Sequence, residues 1–269
     1  MEYEDFRTIP NLHTHTCLCR HAQGTPDDYC REAKKYTRII GISDHGPFPD
    51  NRYVHSSMFY EELDDYTGMI AQARRANPDM TILAGLEIEW CSDMGKVYYM
   101  QDLINDCKLD YLVGSAHYSG FDLARQHHFF NYKPNLQVMK GFVDVTLKLI
   151  SCGVFTFIAH PDAMMATWDK VTSDHEKMFS DILDAAAETG VPLEFNASGL
   201  RSSRRYPCMK FWEMASEREN LKVVVNSDAH KPYELYDEFT AQALETARAL
   251  KLNICNEEIA QKIINGSEK

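Results

Sequence analysis

Nothing in this sequence is built for a membrane, for export or for a polyanion. No apolar run approaches the roughly 18 residues that a spanning helix requires. The opening stretch, MEYEDFRTIP, has neither the basic leading region nor the apolar core of a secretory leader. The expected location is therefore the cytoplasm. Basic charge is scarce, with 28 Lys and Arg against 40 Asp and Glu and a formal net charge of -12. That balance argues against a nucleic-acid polymer held by bulk attraction. It leaves room for a small anionic substrate, because metal ions and a few arginines make a local positive site on an acidic protein. The eight cysteines include no CxxC pair, and a chain of this length does not need disulfides, so they are read as free thiols. There is no GxGxxG to support a dinucleotide fold, no low-complexity segment and no Gly/Ser linker.

What is present is an alternation. Apolar, β-branched runs of strand length occupy residues 38–43, 81–89, 111–115, 154–159, 191–195 and 221–226, and a weaker first strand is expected over 11–15. Helical patterns lie between them, near 59–76, 96–107, 134–152, 173–189, 207–218 and 232–250. A further helix starts at Thr25-Pro26-Asp27-Asp28, which supplies an N-cap, a proline at the first helical position and acids in the first turn. Gly153 and Gly190 stand where helices should end. Strands alternating with helices imply a parallel sheet, and seven such units suit an α/β protein closed into a (β/α)7 barrel, with residues 1–269 as one domain.

The strand ends carry the chemistry. In order they give His13-Thr14-His15 with His21 following, Asp44-His45, Glu87-Ile88-Glu89, His117, His160-Pro161-Asp162, Glu194-Phe195-Asn196 and Asp228-Ala229-His230. Every strand ends in a group able to bind a metal or move a proton, and that rim is where barrel enzymes place their sites. Residues two apart in an extended chain face the same side, so His13 with His15, and Asp228 with His230, each aim two groups at one cavity. Imidazole with carboxylate suits zinc, iron or manganese, whereas an all-oxygen magnesium or calcium site would not need so many histidines. Asp44 and Glu89 are read as groups that orient ligands. His55, His127, His128 and His175 fall in helices or loops and are read as lying outside the ligand set. Cys17 and Cys19 are left out because harder ligands suffice.

Taken together, His13-Thr-His15, His21, Asp44-His45, Glu87, His117, His160 and Asp228-Ala-His230 resemble the pattern of the polymerase and histidinol phosphatase (PHP) superfamily, from residue 11 to residue 230. The resemblance implies a distorted seven-stranded β/α barrel holding two or three divalent transition metals. It implies that His13, His15, Glu87 and Asp228 hold one ion, that Glu87 bridges to a second held by His117 and His160, and that His21, His45 and His230 hold a third. Stretches at 43–48, 85–89, 114–118 and 196–201 are most similar to stand-alone histidinol-phosphate phosphatases. By that likeness Arg201 would bind phosphate, with Asn196, Tyr118, Arg204 and Arg205 as further substrate contacts. Glu87 and Asp228 would serve catalysis through the metals, and Asp162 is one candidate acid for the leaving group. Residues 160–165 and 119–133 depart from the phosphatase pattern, which bears on the alcohol half of the substrate.

The expected reaction is hydrolysis of a small phosphomonoester, L-histidinol phosphate first. The alternatives are another small phosphate ester or nucleotide, and an amidohydrolase-like metallohydrolase cutting C–N bonds. The arginine-rich stretch 201–205 separates these, since a neutral substrate has no need of it.

Overall fold

The computed structural model describes residues 9–118, 128–129 and 132–267. His127 and most of the divergent 119–133 stretch lie outside them. Seven parallel strands run in sequence order: β1 (Ile39–Ile42), β2 (Thr81–Glu89), β3 (Tyr111–Ser115), β4 (Phe157–Ile158), β5 (Leu193–Asn196), β6 (Lys222–Asn226) and β7 (Asn253–Ile254). The helices before, between and after them are α1 (Pro26–Ala33), α2 (Leu63–Ala76), α3 (Gly95–Val97), which runs into a π-helix at Tyr98–Asp106, then α4 (Leu136–Ser151), α5 (Ser173–Thr189), α6 (Ser198–Arg201), α7 (Met209–Ser216), α8 (Glu238–Ala249) and α9 (Asn256–Ser267). The arrangement is a distorted (β/α)7 barrel. No described helix is long and apolar enough to cross a membrane.

The helix signals read from sequence work as their chemistry requires. Thr25 caps α1, its hydroxyl accepting from the Asp28 amide, while the Asp28 carboxylate accepts from the Thr25 amide. Gly190 ends α5 in the left-handed conformation at φ 73°, where a side chain would be strained.

Two expectations are corrected. The segment 11–15 is not a ladder strand. It makes single parallel bridges, Asn11 to Ile40 and Thr14 to Ala229, with His15 N donating to Ala229 O and Ser43 N to Thr14 O. It thus closes the barrel between β1 and the chain beyond β6. The seventh strand is β7, whose two residues are too short to register as an apolar run, and α9 follows it.

Alternation along the strands sorts side chains between two cores. On β2, Ile82, Ala84, Leu86 and Ile88 pack outward among the helices, while Leu83 joins Leu12, Tyr111, Val113, Phe157 and Val224 inside the barrel. α9 covers that interior with Ile259, Ala260 and Ile263. Glu87 and Glu89 share the inward parity of Leu83, and Glu194 and Asn196 are set opposite to the outward Leu193 and Phe195. The same period that fills the lower barrel with hydrocarbon therefore lines its rim with acids. The alternation breaks at β4. Ala159 faces inward and His160 does too, and His160 takes a left-handed φ of 30°.

Tyr111 plugs the barrel. Gly41 and Gly85 leave room for its ring, since a methyl group on either would overlap it, and its hydroxyl donates to Leu12 O at 2.7 Å. That bond anchors the irregular segment next to His13. Tyr111→Phe is expected to lower stability by about 1–3 kcal/mol, the cost of leaving a buried acceptor unpaired. A urea unfolding midpoint equal to wild type would refute the anchor.

Candidate metal centre and active site

His13 comes from the barrel-closing segment, Glu87 from β2, His117 from just past β3, His160 from just past β4 and Asp228 from just past β6. Glu87 stands at their middle and is 1% exposed. Its Oε2 lies 2.9 Å from His45 Nδ1, 3.4 Å from His13 Nε2 and 3.6 Å from His15 Nε2. Its Oε1 faces the other way, 3.0 Å from His160 Nε2 and 3.8 Å from His117 Nε2. Asp228 Oδ1 lies 3.0 Å from His15 Nε2, 3.7 Å from His13 Nε2 and 3.5 Å from His230 Nδ1. The His15 ring stacks against both His45 and His230 at 4.3 Å, and His21 sits 4.9 Å from His230. All nine residues expected as ligands are thus gathered into one cluster.

The donor set suits metal ions. His13 Nε2, both ring nitrogens of His15 and Glu87 Oε2 are buried with no hydrogen-bond partner, an arrangement that costs free energy unless another group satisfies those atoms. Ligand atoms of His13, His15 and Glu87 lie within 4.8 Å of one another, as do those of His15, His45 and His230, and those of His45, Glu87 and His117.

Behind the ligands stands a second set of carboxylates. Glu194, fully buried, accepts from His13 Nδ1 at 2.8 Å, from the His160 amide and from the side chains of Asn196 and Asn226. Glu89 takes the His117 amide and His117 Nδ1. Asp44 faces His15 Nδ1 at 3.6 Å, and the Glu234 carboxylate accepts from the His230 amide. Such partners fix the tautomer and orientation of a ligating imidazole. Asp44 and Glu89 were legible as this kind of residue. The roles of Glu194 and Glu234 were missed, although Glu194 shares the parity of Asn196. Cys19 was discounted from sequence, yet its sulfur lies within 4.8 Å of ligand atoms of His21 and His230. All eight cysteines are free thiols.

The electrostatics follow from burial competing with neighbours. Burial by itself would raise the Glu87 carboxyl, but His13, His45 and His117 outweigh it and hold the group well below the usual range. Asp228 is likewise depressed against burial, by His13, His15 and His230. Burial lowers His15, but the Asp228 and Asp44 carboxylates beside its ring overcome this and raise it to about 9. Burial and the nearby His15 push His45 and His230 down to about 3. Burial, with Glu87 nearby, lifts Glu89 to about 8.

The cluster forms the floor of a pocket of about 520 Å³. Tyr53, His55, Ser56, Tyr118 and His128 line one side, and Ser198, Ser202, Arg204 and Tyr206 another. The Tyr118 hydroxyl lies 2.6 Å from Ser56 Oγ and 3.0 Å from His55 Nε2. His55 and His128, set aside from sequence as remote, therefore face the site.

Several expected substrate contacts are placed elsewhere. Arg201 does not line this pocket, because its guanidinium is held by Asp237 at 2.6 Å and by main-chain carbonyls. Asp162 is buried behind the wall, accepting from the Cys208 amide and Trp212 Nε1, so it is not positioned to protonate a leaving group. Asn196 lies beneath Asp228 and donates to its carboxylate. Arg205 pairs with Asp169 on the surface. Of the three arginines, Arg204 alone reaches the pocket.

A cluster of imidazoles and carboxylates on the C-terminal rim of a β/α barrel defines a metal-dependent enzyme of the hydrolase type. Residues 11–198 match the PHP domain, and the chain belongs to that family. It is 27% identical over 235 residues to a Deinococcus radiodurans protein named "Probable histidinol-phosphatase", covering 83% of this chain and 86% of that one. A Shewanella pealeana protein named "Probable phosphatase" is 25% identical, covering 85% and 80%. Among solved structures, the histidinol phosphate phosphatase of Lactococcus lactis, complexed with zinc, L-histidinol and phosphate, superposes with a TM-score of 0.71 at 15% identity, covering 91% of this chain and 95% of that one.

Glu87→Gln is expected to abolish metal retention on both sides of the cluster, because Glu87 faces both. Glu89→Gln should weaken only the His117 side, by about 10–100-fold. Elemental analysis after dialysis separates them, and equal loss in both variants would contradict the geometry. Proton linkage gives a second check. His15 is charged below about 9 in the metal-free protein, and a ligand must be neutral, so binding expels its proton. Zinc added to metal-free protein at pH 7 should acidify a weak buffer, and apparent affinity should climb as pH rises toward 9. Affinity independent of pH over that range would overturn the assignment.

Proposed function

We propose that this chain is a metal-dependent phosphomonoester hydrolase that cleaves L-histidinol phosphate to L-histidinol and inorganic phosphate. The observation that carries the reading is Glu87 set between two groups of histidines, beneath a pocket that also holds Arg204. Membership of the PHP family, the name of the Deinococcus relative and the ligands of the Lactococcus structure support it.

His13, His15, Glu87 and Asp228 are assigned to one ion, Glu87 with His117 and His160 to a second, and His21, His45 and His230 to a third. Zinc, iron or manganese fits these donors, with two to three ions per chain. When bound, such ions supply Lewis acidity and a hydroxide nucleophile near neutral pH. The chain's own groups do the rest. Glu194, Glu89 and Asp44 hold the imidazoles in place. Arg204 takes the anionic oxygens of the substrate, a role suited to a planar guanidinium. Ser198 and Ser202 line the pocket beside it. The opposite wall of Tyr118, His55 and Ser56 is assigned to the alcohol half, whose polar atoms it meets with donors and acceptors. The pocket volume leaves space for that half as well as for phosphate. The same reading places the enzyme in histidine biosynthesis, in the cytoplasm, with residues 1–269 as one catalytic unit.

The test is a panel of phosphomonoesters, including L-histidinol phosphate and a mononucleotide, on zinc- or manganese-loaded protein. L-Histidinol phosphate should be turned over with the highest kcat/KM, and prolonged chelation should abolish the activity. Arg204→Ala should reduce kcat/KM for that substrate by about 100-fold, in line with losing one charge-stabilising donor, and weaken inhibition by inorganic phosphate. Preference for the nucleotide would reassign the substrate. Hydrolysis of none of the panel by metal-loaded protein would defeat the reading.

A further inference from the structure

We infer that Arg201 is a positioning residue. It locks the loop joining β6 to α8 so that Asp228 and His230 face the metal centre, and it is not a ligand of phosphate.

The guanidinium is used on both edges. Nε and Nη2 form a fork on the Asp237 carboxylate at 2.6 and 3.1 Å. Nη1 donates to Ser227 O at 3.0 Å, and Nη2 also donates to Glu234 O at 3.0 Å. These partners mark the two ends of the loop. Ser227 directly precedes Asp228. Asp237 caps α8, its carboxylate accepting from the Thr240 amide. Glu234 closes the circuit, since its carboxylate accepts from the His230 amide at 2.9 Å. The side chain is 15% exposed and lies against a different surface hollow, with Tyr233, Glu234 and Asp237.

The physical need for such a clamp lies at Asp228, which takes a left-handed φ of 47°. A non-glycine residue holds that conformation only where its surroundings over-determine it. The peptide unit is planar, so fixing the Ser227 carbonyl also fixes the orientation of the Asp228 amide, the axis about which that φ is set. Arg201 binds that carbonyl and the far end of the loop at once. A lysine at this position brings the charge but not the planar fork.

The test uses the full chain and cobalt(II) alone as the probe, comparing wild type, Arg201→Lys, Asp237→Asn and the double variant. Lysine keeps the charge and asparagine keeps the shape, so circular dichroism should report the wild-type fold in each. Arg201→Lys and Asp237→Asn should each weaken cobalt binding by about 10-fold and alter its visible ligand-field bands. The double variant should be no worse than the weaker single, because the two residues act as one clamp. At saturating metal, the inhibition constant for inorganic phosphate should stay unchanged. The inference is overturned if Arg201→Lys binds cobalt like wild type while phosphate inhibition weakens, or if Asp237→Asn leaves both the affinity and the spectrum untouched. It rests on the metal-centre reading and not on the identity of the substrate. Wild-type protein that binds no cobalt would defeat that reading, whereas equal binding by wild type and variants would defeat only the clamp.

Discussion

The structure depends on holding acidic groups out of water. Glu87, Glu194, Asp44 and Asp228 lie buried at one end of a barrel whose remaining interior is hydrocarbon. Burying a carboxylate is costly unless charge and hydrogen bonds compensate, and the surrounding imidazoles and amides are what compensate here. Each acid faces histidines, and His13, His15 and His117 each have a second acid behind the ring. The centre is therefore one electrostatic unit of interdependent parts. His45 and His230 are driven down by burial and then by the neighbouring His15, which is held up. Below the site, Tyr111, Phe157 and the apolar face of α9 fill the barrel.

Much of this was legible in the sequence because the governing period is two. Once 81–89 is a strand and Leu83 faces inward, Glu87 and Glu89 must follow. The same reasoning reaches Asn196, His117 and Asp228. It fails where the backbone leaves that period. His160 occupies a position whose parity points outward, and only a left-handed φ turns it toward the rim. Residues 11–15 alternate like a strand, yet they touch two neighbours by single bridges, a distinction that no one-dimensional pattern carries. β7 makes its two-residue contact through Lys222 and Val223, too short for any periodicity.

The arginines mark the sharper limit. Arg201, Arg204 and Arg205 lie within five residues, and the family likeness singles out Arg201 for phosphate, with the other two as further contacts. Their fates are set by three dimensions. Arg201 ends α6 and meets Asp237, 36 residues away. Ser203 then takes a φ of 53°, the chain reverses, and Arg204 is delivered to the pocket. Arg205 beyond it falls to the surface beside Asp169. A loop that changes direction over three residues sends like side chains to unlike places. Family likeness predicts an arginine at the pocket better than it predicts which one.

The closing of the barrel by residues 11–15 has a consequence for how the protein is made. The amide of Leu12 donates to the Asn226 side chain across 214 residues of sequence, and His15 meets Asp228 over a similar span. The central cluster thus joins His13 and His15, from the beginning of the chain, to Asp228 and His230, more than two hundred residues later. During synthesis the early histidines emerge long before the aspartate that must face them. Loop closure over that distance is entropically late and slow. A chain released before β6 is made lacks Asp228 and His230. The complete cluster is therefore a property of the finished barrel.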